Sequence, residues 1–342
     1  MNKLFLVLCW LTIISTFSLG GCVSEKESEI DQVKEPIEVI EMKLGHYAAK
    51  DHPGNIAAQK FAEAVESRTN GSIKVTVFPD NQLGSPPEML EQNIVGAIDM
   101  SLPTQGALDK YSKKFSTVMI PFAFKDYEHA YKVLDGPFKE WVEGDLEKQG
   151  LIFLSNWEYG FRNITNNLRP INRPEDVEGM RLRTPPEIQL QSAMEALGAN
   201  VTKIAFPETY MSLKQGVVDG QENPVAVIYH NNLYEVQPYL ALTQHVYNSM
   251  VHIISKEVWD QLTKEQQTII REESIKAGNW MREEMQKQEA EIIIKLEEEG
   301  MEITYPDREL FKAKMQYAND VISVYAGKEN VETFLEMVEE TN

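Results

Sequence analysis

Three polar residues in the stretch 157–224 have the types and spacing to hold an anion. Arg162 lies in Gly-Phe-Arg-Asn-Ile-Thr-Asn, Arg183 in Met-Arg-Leu-Arg-Thr-Pro, and Asn223 in Asp-Gly-Gln-Glu-Asn-Pro. Arginine keeps its charge at any physiological pH, and its planar fork of donors matches a carboxylate in two parallel bonds. Two arginines and an amide gathered in a cleft would form an organic-acid site. Alternation places Arg181 and Arg183 on one face, and Pro185-Pro186 ends their strand. Arg183 then stands at a strand's C-terminal end, where ligands bind in open α/β sheets. On residue chemistry alone, a salt bridge to one of the many acids is an equal reading for Arg183. Arg162 could be a surface charge, and Asn223 also suits a helix cap before Pro224, which would leave its NH2 free. Asp219 and Glu222 are set aside, because acids repel an anionic ligand.

The flanking sequence alternates strand and helix. Met42, Leu44 and His46 alternate as a strand does. Pro53-Gly54 opens a helix with Ala57, Phe61, Ala64 and Val65 on one face, and Asn70-Gly71 ends it. Ile73, Val75 and Val77 form the next strand, stopped at Pro79-Asp80-Asn81. Pro86-Pro87 opens a second helix carrying Leu90, Ile94, Ala97 and Ile98, and a short strand follows at 100–102. This order implies right-handed crossovers and a parallel sheet. Helical spacing recurs at Tyr127 to Leu134 and Phe138 to Leu146, and 151–154 reads as a short buried parallel strand. A second alternation then runs through a strand at 180–183, a helix at 186–197 and a strand at 201–204. The chain thus holds two α/β units, joined near Tyr159 and Gly160. Residues 240–255 contain no Pro or Gly and read as one extended strand. Thr263-Lys264-Glu265-Gln266 is a capping box, and the helix it opens runs to about Leu296. Elements this long are expected to cross from one unit to the other. A strand at 301–305 and helices near 310–325 and 331–338 finish the chain.

In order and spacing these segments resemble the solute receptors of tripartite ATP-independent periplasmic (TRAP) transporters. The helix ending in Thr-Asn-Gly, the strand and Phe-Pro turn after it, and Gln82-Leu83-Gly84 share the likeness. The resemblance implies a two-lobed periplasmic binding protein type fold, with a long strand and a long helix crossing between lobes. Lobe I is expected at 42–159, with roughly 249–288 returning to it, and lobe II at 160–248, with roughly 289–342 returning. The resemblance further implies that Arg183 makes a two-pronged bond to the ligand carboxylate. Arg162 would add a bond to the carboxylate or a hydroxyl, and Asn223 an amide donor. Phe206 and Trp157 would pack against the ligand's carbon skeleton, with a plain core role as the alternative for each. His46, Thr104 and Gln105 lie on loops that would reach ligand hydroxyls, and His46 could instead pair with a second carboxylate. Thr104 and Gln105 stand where some relatives carry an acid, so no one relative's specificity is copied. The implied function is capture of a small organic acid and its delivery to the permease subunits in the membrane. Only one firm carboxylate site is visible, so a uronate or aldonate is favoured over a C4-dicarboxylate. A ligand-binding partner of a sensory receptor and a secreted carboxylate-pair hydrolase are the alternatives.

The start of the chain bears on compartment. Lys3 precedes an apolar run at 4–19 and then Leu19-Gly20-Gly21-Cys22. This pattern reads as a secretory signal over 1–21, too short to span a bilayer comfortably. It resembles a bacterial lipobox, which implies cleavage before Cys22 and a diacylglycerol on its sulfur. An ordinary signal with an incidental cysteine, or an uncleaved anchor, are the alternatives. Residues 22–41 are rich in Glu, Lys, Ser and Asp and read as a flexible tether. Of the 2 Cys, Cys9 belongs to the signal, so the exported domain relies on its core rather than on disulfides. A formal net charge of −20 repels phosphate backbones and argues against nucleic-acid binding. A negative surface can still surround a positive cleft. The chain has no Gly-x-Ser-x-Gly elbow, His-Glu-x-x-His, phosphate-binding loop or dinucleotide fingerprint. His245 and His252 share a strand at odd spacing, a poor metal pair. The expectation is a monomeric, lipid-anchored, extracytoplasmic receptor without catalytic activity, cofactor or metal.

Overall fold

The computed structural model describes residues 39–341. The leader 1–21, Cys22 and the tether up to residue 38 lie outside them. The strands are β1 (Ile40–Gly45), β2 (Ile73–Phe78), β3 (Met100–Ser101), β4 (Leu151–Asn166), β5 (Arg181–Thr184), β6 (Asn200–Lys203), β7 (Gly220–Asn223), β8 (Tyr239–Ser255) and β9 (Glu302–Thr304). They form one sheet in the order β2-β1-β3-β8-β4-β7-β5-β6, with β9 beside β8. The helices are α1 (Pro53–Arg68), α2 (Pro86–Ile94), α3 (Gln105–Leu108), α4 (Tyr127–Asp135), α5 (Pro137–Lys148), α6 (Ile188–Ala196), α7 (Thr209–Lys214), α8 (Val225–His230), α9 (Lys256–Gln261), α10 (Lys264–Glu298), α11 (Arg308–Lys312), α12 (Gln316–Ala326) and α13 (Lys328–Glu340).

The two strand-helix alternations build the two ends of the sheet. At one end β2, β1 and β3 run parallel, and at the other β6, β5 and β7 do. Between them lies an antiparallel ladder of β4 on β8. Antiparallel strands can be long without crossover connections, so this ladder spans from one end of the sheet to the other. Beside it runs α10, of 35 residues and so about 50 Å long. Its start is the expected capping box, in which the Thr263 hydroxyl accepts from Gln266 N and the Gln266 side chain accepts from Thr263 N. Gly278 lets this helix approach β4. A Cβ there would lie 2.8 Å from the Asn156 carbonyl oxygen and 2.9 Å from the Trp157 ring. No helix among the described residues is long and apolar enough to cross a membrane.

Two sequence readings are corrected. Residues 151–154 are not a short parallel strand. They begin the sixteen-residue β4, which is antiparallel to both β7 and β8 and buried along its whole length. Its polar middle, Ser155 to Glu158, resembles a loop in sequence. It is buried because those groups find partners: Ser155 on Ser274, Asn156 on the Leu134 carbonyl, and Glu158 on Tyr131 and Tyr159 N. Three bulges bend the ladder, one of them between Glu158 and Gly160, where Gly160 has φ +116°. Residues 220–223 of the polar cluster form the buried strand β7. Asn223 does not cap α8, since the cap position is Pro224.

Candidate ligand-binding site

A cavity of about 180 Å³ lies where strand ends and loops from both ends of the sheet converge. Arg162, Arg183, Phe206 and Thr104 line it, together with Tyr47, Tyr159, Glu187 and the start of α2.

Arg183 comes from β5, which is held between β6 and β7, and the chain leaves β5 at Pro185-Pro186. Its side chain is 1% exposed. Nε donates to the Ile204 carbonyl at 2.9 Å, which fixes the plane of the guanidinium. Nη2 has no hydrogen-bond partner among the described residues. The guanidinium lies 5.9 Å from the Phe206 ring centroid. Burial lowers its pKa to about 10, still charged at neutral pH; Glu222 offsets part of this effect, and Arg162 adds to it. A buried cation lacking a close anion is costly, and a bound carboxylate would remove that cost.

Arg162 comes from β4 and is 2% exposed, but it has a partner. Its Nε and Nη2 both hold the carboxylate of Glu222, with Nη2 at 2.8 Å from Oε1 and 2.7 Å from the Glu222 carbonyl. β7 is paired to β4 with Ile164 opposite Glu222, which brings the acid within reach. Burial alone would lower the Arg162 pKa, but the charge and hydrogen bonds of Glu222, with Tyr159 and Glu187, together outweigh it and the pKa is raised. Burial would raise Glu222, but the charge and hydrogen bonds of Arg162, together with His245, more than reverse that, so it stays ionised. His245 Nε2 stands 3.5 Å from Glu222 Oε2.

The remaining sequence candidates divide. Thr104 lines the cavity as the N-cap of α3, and its hydroxyl donates to Glu187 at 2.6 Å. Phe206 lines it half-buried, edge-on to Tyr47. Asn223, Trp157, His46 and Gln105 do not line it. Both ends of the Asn223 amide are engaged: Oδ1 accepts from the Tyr159 hydroxyl, and the NH2 donates to Gln221. The Trp157 indole donates to Ser155 Oγ and to the Ser274 carbonyl, each at 3.1 Å, under α10. Gln105 donates to Asn156 and Ser249. His46 is buried, with its pKa lowered to about 4 by burial, and its Nδ1 accepts from Ala48 N. His245 and His252 sit apart, the latter on Ser274 Oγ and against Phe61. No cluster of His, Cys, Asp or Glu among the described residues could hold a metal ion.

Sequence reasoning missed Tyr47, Tyr159 and Glu187. Tyr47 and Tyr159 face each other edge-on at 5.0 Å, one from each side of the cavity. Glu187 follows Pro185-Pro186 directly, in the same strand-end turn that marked Arg183. The rule that ligands sit at strand C-termini could have included it.

The sequence matches the description "Bacterial extracellular solute-binding protein, family 7" over residues 44–323, and the chain belongs to this family. It is an extracytoplasmic receptor for small solutes. It is 33% identical over 271 residues to the 2,3-diketo-L-gulonate-binding periplasmic protein of Escherichia coli, spanning 79% of this chain and 83% of that one. Its fold matches the sugar acid binding protein of Advenella mimigardefordensis in complex with galactonate, with a TM-score of 0.86 and 30% identity, covering 90% of this chain and all of that one. A TRAP periplasmic solute binding protein from Polaromonas, bound to D-erythronate, matches with a TM-score of 0.83 and 34% identity over 86% of this chain and 98% of that one.

Proposed function

We propose that this receptor captures a small organic acid, a uronate or aldonate in preference to a C4-dicarboxylate, and delivers it to a TRAP permease. One observation carries this reading. Arg183 presents a buried guanidinium to the cavity with one edge unspent, whereas the other cavity arginine is neutralised by Glu222. The ligand carboxylate bonds to Arg183, and Tyr47, Tyr159, Thr104 and Phe206 surround the carbon skeleton. The names of the relatives, with galactonate, erythronate and diketogulonate among their ligands, support the class.

In this reading the lobes are 42–159 and 160–248, with 249–288 and 289–342 returning to them. The ligand bridges them, which gives it the differential affinity that closure requires. The Leu19-Gly20-Gly21-Cys22 run supports a lipid anchor on Cys22, and the receptor acts as a monomer tethered to the membrane surface. A thermal-shift screen of organic acids against the purified protein tests the ligand class. Stabilisation by sugar acids, lost in Arg183→Lys, is the expected result. Equal stabilisation by a sugar acid and its neutral methyl ester would contradict the reading.

A further inference from the structure

We propose that Glu187 selects the chemical class of the ligand. It accepts a hydrogen bond from a hydroxyl of an acid whose carboxylate lies on Arg183, and it turns away acids that carry a second carboxylate. The inference rests on the organic-acid reading and names the residue that narrows it.

Glu187 occupies the N-cap position of α6, yet its side chain makes no capping bond. It turns into the cavity instead and is buried there. Oε1 accepts from the Thr104 hydroxyl, which arrives from the other end of the sheet and fixes the carboxyl. Gly106 makes room for it: a Cβ at that position would lie 2.7 Å from Glu187 Oε2. Oε2 itself has no hydrogen-bond partner among the described residues. Glu88, the other acid on the wall, is engaged by the amide and hydroxyl of Ser85, each at 2.7 Å. The cavity therefore holds one buried cation with a free donor and one buried carboxyl with a free acceptor.

A buried acceptor without a donor is unfavourable, and a ligand hydroxyl supplies the donor. A site built to bond a hydroxyl rejects analogues that lack it far more strongly than a hydrophobic pocket rejects a missing methylene. Above about pH 7, where Glu187 is ionised, a second carboxylate at the same place would meet a like charge in a desolvated site. The charged groups around Glu187 do not cancel this preference. Arg162 attracts but is held by Glu222, Arg183 is committed to the first carboxylate, and Asp109 and Glu222 are further negative charges.

Two matched pairs of acids test the inference by calorimetry on the purified protein. D-erythronate and succinate share four carbons, but succinate has a second carboxylate and no hydroxyl; D-galactonate and galactarate share four hydroxyls, and galactarate has a second carboxylate in place of the terminal CH2OH. Wild type should prefer the hydroxylated monoacid in each pair, and Glu187→Gln should shrink that preference by about tenfold or more. Thr104→Val, which keeps the carboxyl but frees Oε1, should move the preference the same way by less; it also removes the N-cap bond of α3, so a somewhat lower but still cooperative melting transition is the control for folding. An unchanged preference in folded Glu187→Gln, with Arg183→Lys still losing affinity for the acids, overturns the role of Glu187 and leaves the organic-acid reading standing. Unchanged affinity in Arg183→Lys, or no binding of any of the four acids, overturns that reading and this inference with it.

Discussion

Arg162 and Arg183 reach the same cavity from strands on either side of β7 and end in opposite electrostatic states. Both are almost fully buried. β7 delivers Glu222 to Arg162, and the pair spends both charges inside the protein. Arg183 receives only the Ile204 carbonyl, and Nη2 is left over. The first arginine braces the wall that β4 and β7 share, and the second is poised for an anion from outside. Residue type and burial are alike in the two cases. What separates their roles is whether the neighbouring strand supplies a carboxylate.

Breaking the internal pair should have the largest effect. Glu222→Gln leaves the Arg162 charge buried without its counterpart, so denaturant unfolding should show a loss of about 3–5 kcal/mol. An Arg162→Met, Glu222→Leu double variant should recover most of it, because a buried pair replaced by apolar groups is close to neutral. A loss under about 1 kcal/mol in Glu222→Gln would mean that the two arginines are not as different as described. The reciprocal change, Arg183→Lys, should leave stability nearly intact and weaken acid binding by on the order of 2–4 kcal/mol, since lysine lacks the planar fork.

The buried charges Arg183 and Glu187 of the cavity wall also respond differently to pH. Burial raises the Glu187 pKa to about 7, although its bond from Thr104 and the charge of Arg162 pull it down. A carboxyl raised in the folded state contributes stability that is fully present below its unfolded pKa, about 4.5, and is lost as the pH rises through about 7. Glu187→Gln removes that loss. It should gain on wild type by up to about 3 kcal/mol at alkaline pH and little below the unfolded pKa, read from melting curves across the range. A flat difference would show that Glu187 is not a desolvated carboxyl. The smallest effect concerns a residue away from the cavity. Trp157→Phe removes the indole bonds to Ser155 and Ser274 and should cost about 1 kcal/mol of stability, with acid affinity within about twofold of wild type.

How much of this was legible in sequence follows from where the partners of each group come from. Strands and helices of the two ends were readable because their signals are local: alternation at Ile73, Val75 and Val77, Pro-Pro opening α2, the capping box at the start of α10. β4 was misread because its middle is polar, and only its distant partners, Ser274 on α10 and Tyr131 on α4, make that polarity buriable. The cavity arginines were legible as types and as strand-end positions. That Glu222 belongs to one of them depends on the β4–β7 register, a pairing of residues some sixty apart in the chain. Setting Glu222 aside as a repulsive acid overlooked this internal neutralisation. Glu187 was missed for a related reason: its partner Thr104 lies at the other end of the sheet.

A crystal structure with the best-binding acid from the screen shows whether Arg183 receives the ligand carboxylate. A carboxylate oxygen is expected about 3 Å from Arg183 Nη2, with the Arg162–Glu222 pair intact beside it. A carboxylate bound elsewhere in the cavity, or one that displaces Glu222 from Arg162 and leaves Arg183 Nη2 untouched, would contradict that role for Arg183.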